Sequence, residues 1–199
     1  IVELIGGIDI AKDIIELAIK KNIPVVTANK ALLAIHGFEI AKLAQSKNVL
    51  IGYEASVGGS IPIIGAIKNG LVANNINSCY AIINGTCNFI LSKMQNENLD
   101  FADALKQAQE LGYAESDPTF DIKGIDSAHK IAVLAIIAFG IKQNFGNINI
   151  EGIDKITIDD IKIAQEFGFR IKLIAHASYE NNILWQSVHP ALISDKEKI

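Results

Sequence analysis

The sequence predicts an α/β protein: a parallel sheet of alternating strands and helices, followed by a second part of α+β character. Three observations carry this. Residues 1–58 alternate short apolar runs with longer stretches of helical spacing, joined by short links, which is the rhythm of parallel strands with crossover helices. From residue 59 onward that rhythm stops, and strand-like runs are separated by pairs of helices. Within this second part, a dense polar loop from Gly112 to Lys130 opens directly into an apolar helical segment.

Taken in order, residues 1–5 read as a short buried strand that ends in the turn Gly6-Gly7. Lys12 to Lys20 places Ile14, Ile15, Ala18 and Ile19 at helical spacing, and Asn22 and Pro24 end that helix. Pro24 to Thr27 is a second strand, Ala31 to Ser46 a second amphipathic helix, and Val49 to Glu54 a third strand. Ile61 to Leu71 is predicted as a helix opened by Pro62, which a first turn tolerates well. Ile76 to Asn84 is strand-like, and helices are expected at 87–95, 101–111, Ile125 to Phe139 and 159–167. Strands over 171–178 and 183–188 complete the chain.

Composition narrows the function classes. Half of the 199 residues are hydrophobic and 20% are charged, as in globular domains, and the net charge of −4 comes with no Lys/Arg cluster. A nucleic-acid partner is therefore not expected. The longest apolar run, Ile131 to Phe139, falls well short of the roughly 20 residues that span a bilayer, so no membrane partner is expected either. Cys79 and Cys87 have no CxxC spacing, and the four histidines form no metal-ligand pattern, which suits a reducing cytoplasm. The chain opens inside an apolar run without Met and ends without a closing element, so it is expected to be an internal piece of a longer protein.

Parallel sheets bind ligands beyond the carboxyl ends of their strands. Here those positions hold Gly6-Gly7, Ala28-Asn29-Lys30 and the segment from Ala55 to Ser60. In Glu54 to Pro62 a Gly-Gly turn leads into a helix. Its N–H groups could receive an anion, its carbonyls with Glu54 could cage a hard cation, or the turn could serve geometry alone. Lys30 is either a solvated helix-start residue or a ligand group. Asn84-Gly85-Thr86 is expected to cap the next helix through Thr86. Asp126 and Lys130 are four apart and share a helix face, as either a surface ion pair or a proton-handling pair. No GxGxxG fingerprint occurs, so dinucleotide binding is not legible in the residues themselves.

As an ordered set these stretches resemble the homoserine dehydrogenase family. The matching pieces are Val2 to Gly7, Val25 to Ala31, Tyr53 to Ile64, Ile83 to Asn88 and Gly112 to Lys130. The last of them, with Ala108 just ahead of it, fits the family signature at Ala108, Gly112, Pro118, Asp121, Gly124, Asp126 and Lys130. The resemblance implies the later half of a Rossmann-type sheet over 1–58, lacking the part with the glycine fingerprint. It implies a truncated substrate and dimerisation domain over 59–199. The implied reaction interconverts L-homoserine and L-aspartate 4-semialdehyde with NADP or NAD, on the route to threonine and methionine, in a cytoplasmic homodimer.

The resemblance also assigns roles. Lys130 would be the proton donor and acceptor, with Asp126 and Lys30 as further catalytic residues. Glu115, Asp121 and Asp126 would bind substrate, with Glu115 meeting its ammonium group. Ile5, Gly6, Gly7, Lys30 and Gly112 would border the cofactor. Glu54 with the backbone of Val57, Gly59 and Ile61 would hold a sodium ion. Two other readings are a non-catalytic amino-acid-binding homologue and an oxidoreductase for another small aldehyde or sugar. Retention of both lysines with Glu115 and Asp126 speaks against the first, and the complete signature against the second.

Overall fold

A computed structural model describes residues 1–142 and 144–197. The chain divides into two compact units. The first comprises residues 1–79, 129–147 and 177–185, and the second 80–128, 148–176 and 186–199.

The first unit contains a parallel sheet of order β1 (Val2–Glu3), β2 (Val25–Thr27) and β3 (Ile51–Gly52). Val2 stands opposite Val26, and Val25 opposite Ile51. Helices α1 (Asp9–Lys20) and α2 (Lys30–Lys47) cross between the strands. Ala11, Ile15, Ala18 and Ile19 put one stripe of α1 into a core completed by Val25, Leu32, Ile40 and Ala44. Each fully buried Ile or Leu there contributes about 1.5–3 kcal/mol. Asn29 caps α2 by accepting from the Leu32 N–H at 3.1 Å, and Asn48 ends it in the left-handed region at φ 52°.

After a 3₁₀ turn at Glu54–Ser56, the helix expected over 61–71 is a single α turn, α3 (Ile63–Gly65), that runs into a π turn at Ala66–Gly70.

The second unit holds most of a mixed four-stranded sheet of order β4 (Ser78–Ala81), β6 (Phe169–Glu180), β7 (Ile183–Ser194) and β5 (Asn149–Ile150). β6 and β7 form a hairpin over Asn181-Asn182, both left-handed at φ 51° and 63°, as a two-residue turn of matching twist requires. These strands run further than the sequence predicts, and the parallel pairing of β5 with β7 is not anticipated at all. Helices α4 (Gly85–Glu97), α5 (Phe101–Glu110) and α8 (Ile158–Glu166) complete this unit, together with the short α6 (Thr119–Ile122). Helix α7 (Ile125–Phe139) starts in the second unit and continues in the first from His129. The α/β class expected from the sequence is the class observed. Among the described residues, no helix is long and apolar enough to cross a membrane.

Candidate active site

Two polar networks, one in each unit, organise the residues singled out from the sequence. In the first unit, Glu3 ends β1 with its side chain 1% exposed. A carboxylate so buried is costly unless its oxygens are satisfied. Oε1 accepts from the N–H groups of Ile5 at 2.8 Å and Gly6 at 3.2 Å, and Oε2 accepts from the Thr27 hydroxyl at 2.6 Å. The Thr27 oxygen in turn accepts from the Asn29 N–H at 3.0 Å, and Asn29 Nδ2 donates to the Gly7 carbonyl at 2.7 Å. Ile5, Gly6 and Gly7 are thereby tied to the segment that starts α2 at Lys30, at the carboxyl ends of β1 and β2.

Beyond β3, Glu54 folds over the start of α3. Its two oxygens accept from the N–H groups of Ile64 and Gly65, each at 2.8 Å. The carboxylate thus serves the helix start, where negative charge is favoured. A carboxylate has about four lone-pair positions, so each oxygen keeps one acceptor position. Val57 is buried and Gly59 and Ile61 are exposed in the turn that follows. The donor set of one carboxylate and backbone carbonyls is the oxygen chemistry that a hard cation takes. Among the described residues, no cluster of three His, Cys, Asp or Glu side chains could hold a metal.

In the second unit, Asn84 is the centre of the other network. Its Oδ1 accepts from the Cys87 N–H at 2.8 Å, which makes Asn84 the cap of α4. Its Nδ2 then carries two protons in a fixed direction, donated to Asp121 at 2.7 Å and to Asp126 at 2.9 Å. Thr86, expected as the cap, has another role: its hydroxyl donates to the Tyr113 carbonyl at 2.6 Å and lies 3.3 Å from Asp121 Oδ2. The cap falls to Asn84 because its extended backbone stands one residue outside the helix, whereas Thr86 already lies within the first turn. Cys87 adds a thiol hydrogen bond to the Asp121 carbonyl at 3.2 Å. One amide therefore gathers two of the predicted carboxylates, Asp126 among the buried residues and Asp121 half-buried.

The backbone that separates Asp121 from Asp126 is held from behind. Ile153 N–H donates to the Ile122 carbonyl at 2.8 Å, and Lys123 pairs with Asp154 at 2.7 Å, holding the Asp154 carboxyl below its usual range. Gly152 lies so close to this segment that a Cβ there would stand 2.6 Å from Lys123 Cα. Gly112 and Glu115 occupy the exposed loop after α5, where Gln109 Nε2 donates to the Glu115 carbonyl at 3.1 Å and Phe89 stacks on Tyr113 at 4.4 Å. Lys130 follows Asp126 by one turn of α7 and is half-buried, as is Lys30.

Two cavities lie away from these networks. One of about 260 Å³ in the first unit is lined by apolar residues of α2 and α7, including Leu33, Ile40, Val133 and Ile136. Another of about 440 Å³ in the second unit is polar, and there Lys172 donates to Asn88 at 2.7 Å and Ser92 at 2.9 Å.

Comparison with known proteins decides the family. Residues 1–54 match the family model described as the NAD binding domain of homoserine dehydrogenase, and residues 62–199 match the model of homoserine dehydrogenase itself. The chain belongs to the homoserine dehydrogenase family. It is 50% identical over 195 residues to the homoserine dehydrogenase of Neisseria gonorrhoeae, covering 98% of this chain and 45% of that protein. Against that of Pseudomonas aeruginosa it is 50% identical over 193 residues, covering 97% and 44%. Its fold is similar to the crystal structure of a homoserine dehydrogenase from Thiobacillus denitrificans, with a TM-score of 0.94 at 50% identity, covering 98% of this chain and 46% of that one. A hyperthermophilic archaeal homoserine dehydrogenase in complex with NADPH matches with a TM-score of 0.84 at 30% identity, over 98% and 56%. The chain thus spans about half the length of the curated relatives it matches.

Within this homoserine dehydrogenase framework, sequence reasoning missed Glu3 and Asn84 as organising residues. Glu3 did carry a signal as the single charge inside the apolar run Ile1 to Ile5, but the strand expected to be buried leaves Ile1, Val2, Leu4 and Ile5 exposed and buries Glu3 alone. Asn84 was visible only as a turn residue.

Proposed function

We propose that the full-length protein is a nicotinamide-dependent homoserine dehydrogenase that interconverts L-homoserine and L-aspartate 4-semialdehyde. The observation that carries this is the pair of family matches that together span nearly the whole chain. The assigned residues Lys30, Glu115, Asp121, Asp126 and Lys130 stand within those matches.

When bound, a nicotinamide would supply the hydride for the aldehyde carbon of the semialdehyde. Negative charge then develops on the carbonyl oxygen, and the Lys130 ammonium stabilises that oxygen and transfers a proton to it, giving the alcohol. Solvent returns the proton to Lys130. Asp126 orients the ammonium from one turn before it. Asp121 and Asp126, gathered by Asn84, with Glu115, bind the substrate, and Glu115 receives its ammonium group. Lys30 serves the nicotinamide side of the reaction. Ile5, Gly6, Gly7 and Gly112 border the cofactor, and Glu54 with the carbonyls of Val57, Gly59 and Ile61 would hold a sodium ion. The proposal extends to NADP or NAD as cofactor, a cytoplasmic homodimer, a nucleotide-binding part over 1–58 and a catalytic part over 59–199. It also includes a place on the route to threonine and methionine.

The test is NADPH and NADH oxidation by the full-length protein with L-aspartate 4-semialdehyde. Lys130→Ala is expected to lower kcat by at least about a hundredfold, with cofactor affinity kept. Near-wild-type turnover in that variant would overturn the assignment. Homoserine binding by the wild-type protein without turnover would favour the non-catalytic reading.

A further inference from the structure

We infer that Glu3 is a positioning residue, whose buried carboxylate locks the Ile5–Gly7 turn and the Thr27–Lys30 segment into one frame for the nicotinamide. The inference rests on the proposal above that the carboxyl ends of β1 and β2 receive the cofactor.

The hydrogen bonds close a circuit. Glu3 holds the turn through Ile5 and Gly6, the turn holds Asn29 through the Gly7 carbonyl, Asn29 reaches Thr27, and Thr27 returns to Glu3. Its direction is fixed. The Thr27 oxygen accepts from the Asn29 N–H, so its single proton goes to Glu3, and a carboxylate can only accept. Because Asn29 also caps α2, the same circuit sets where that helix begins and so where the Lys30 backbone stands.

Packing alone would not select a carboxylate here. The residue opposite Glu3 on β2 is Thr27, itself buried, and an apolar residue at Glu3 would avoid the desolvation of a charge. What an apolar residue cannot do is hold two successive N–H groups and a hydroxyl together. The turn it holds is open to a ligand. Gly6 and Gly7 both have positive φ, at 77° and 71°, and beyond the adjoining residues no atom of the chain lies within 4 Å of where a Cβ would stand on either. The backbone is thus presented bare at the end of the sheet, where a flat ring can approach it closely. A bare turn held only by its own peptide bonds would be mobile, and the Glu3 circuit supplies the rigidity.

The test compares wild type, Glu3→Ala, Glu3→Gln and Thr27→Val in the full-length protein. It measures the Kd for NADPH, kcat with the semialdehyde, and amide exchange at Ile5, Gly6 and Asn29. Glu3→Ala is expected to weaken NADPH binding about tenfold, to lower kcat by about ten- to a hundredfold, and to speed exchange at all these amides. Glu3→Gln keeps an oxygen for the two N–H groups but turns an N–H toward Thr27, whose proton loses its acceptor, and its Kd is expected to fall between those of wild type and Glu3→Ala. Thr27→Val releases the Asn29 amide and leaves Ile5 and Gly6 protected. A folded Glu3→Ala protein with wild-type Kd and kcat would overturn the inference, as would a Glu3→Gln protein as impaired as the alanine variant. If Glu3→Ala does not fold, the glutamine and valine variants still decide. A wild-type protein that does not turn over removes the reading of the reaction. Unchanged exchange at Ile5 and Gly6 in Glu3→Ala removes this one.

Discussion

Gly152→Ala adds one methyl group at the tightest backbone approach in the second unit, behind the segment that separates Asp121 from Asp126. An ideal Cβ there would stand 2.6 Å from Lys123 Cα and 2.9 Å from its carbonyl carbon, and it would also press on the Ile122 carbonyl oxygen. Carbon atoms settle at about 3.5–4.0 Å, so the two backbones must part by about 1 Å. That displacement breaks the 2.8 Å bond from Ile153 N–H to the Ile122 carbonyl. Overpacking costs about 1–3 kcal/mol, and the lost bond about 1–3 kcal/mol more. The expected destabilisation in denaturant unfolding of the full-length protein is therefore about 2–6 kcal/mol. Because Ile122 and Lys123 lie between the two carboxylates in sequence, the shift reaches the residues proposed to bind substrate, and kcat is expected to fall about a hundredfold. Gly70, with nothing within 4 Å of its Cβ position, is the control, and Gly70→Ala should stay within about 0.5 kcal/mol. A Gly152→Ala protein as stable as that control, with wild-type kcat, would refute the reasoning.

Three further outcomes follow from the same geometry. Asn84→Asp keeps the helix cap but replaces the donor to Asp121 and Asp126 with a third carboxylate. One acid then gains a raised folded-state pKa, so the loss of stability should be larger at pH 8 than at pH 5, as unfolding curves at the two pH values would show. Burial pushes the Cys79 thiol up to about 11, so its iodoacetamide labelling at pH 8 should be at least about a hundredfold slower than that of a free thiol, and peptide mass spectrometry would read this. Burial, with Arg170 nearby, holds the Lys172 ammonium below the usual lysine value. The unfolded chain then binds this proton more tightly, so stability should rise as pH climbs from the folded value toward about 10.4, and Lys172→Met should flatten that rise. Equal slopes in the two proteins would contradict it.

Much of the fold was legible because helix-period stripes such as Ile15, Ala18 and Ile19, and breakers such as Asn22 and Pro24, act locally. β5 was not legible: two residues carry no alternation, and their pairing with β7 reaches across the sequence. α6 was hidden inside a loop read as irregular, since four residues make barely one turn. At the site, the ordered signature pointed to Asp121, Asp126 and Lys130 by resemblance. The agents that hold such residues were invisible because their partners are remote: Asn84 lies 37 and 42 positions from its carboxylates, and Glu3 lies 24 from Thr27. Spacing rules end at the turn of a helix or the next strand residue, and these contacts begin where those rules stop.

Asn84 meets its helix with one end of its amide and its carboxylates with the other, so secondary structure and the proposed substrate chemistry share a single side chain. The Cys87 amide proton, held on the same oxygen, therefore becomes a spectroscopic gauge of both. Fraying of the first turn of α4 would loosen the anchoring of Asp121 and Asp126 in the same event, with no global unfolding needed. An inhibitor that never touches the proposed substrate residues could act by prising open that turn.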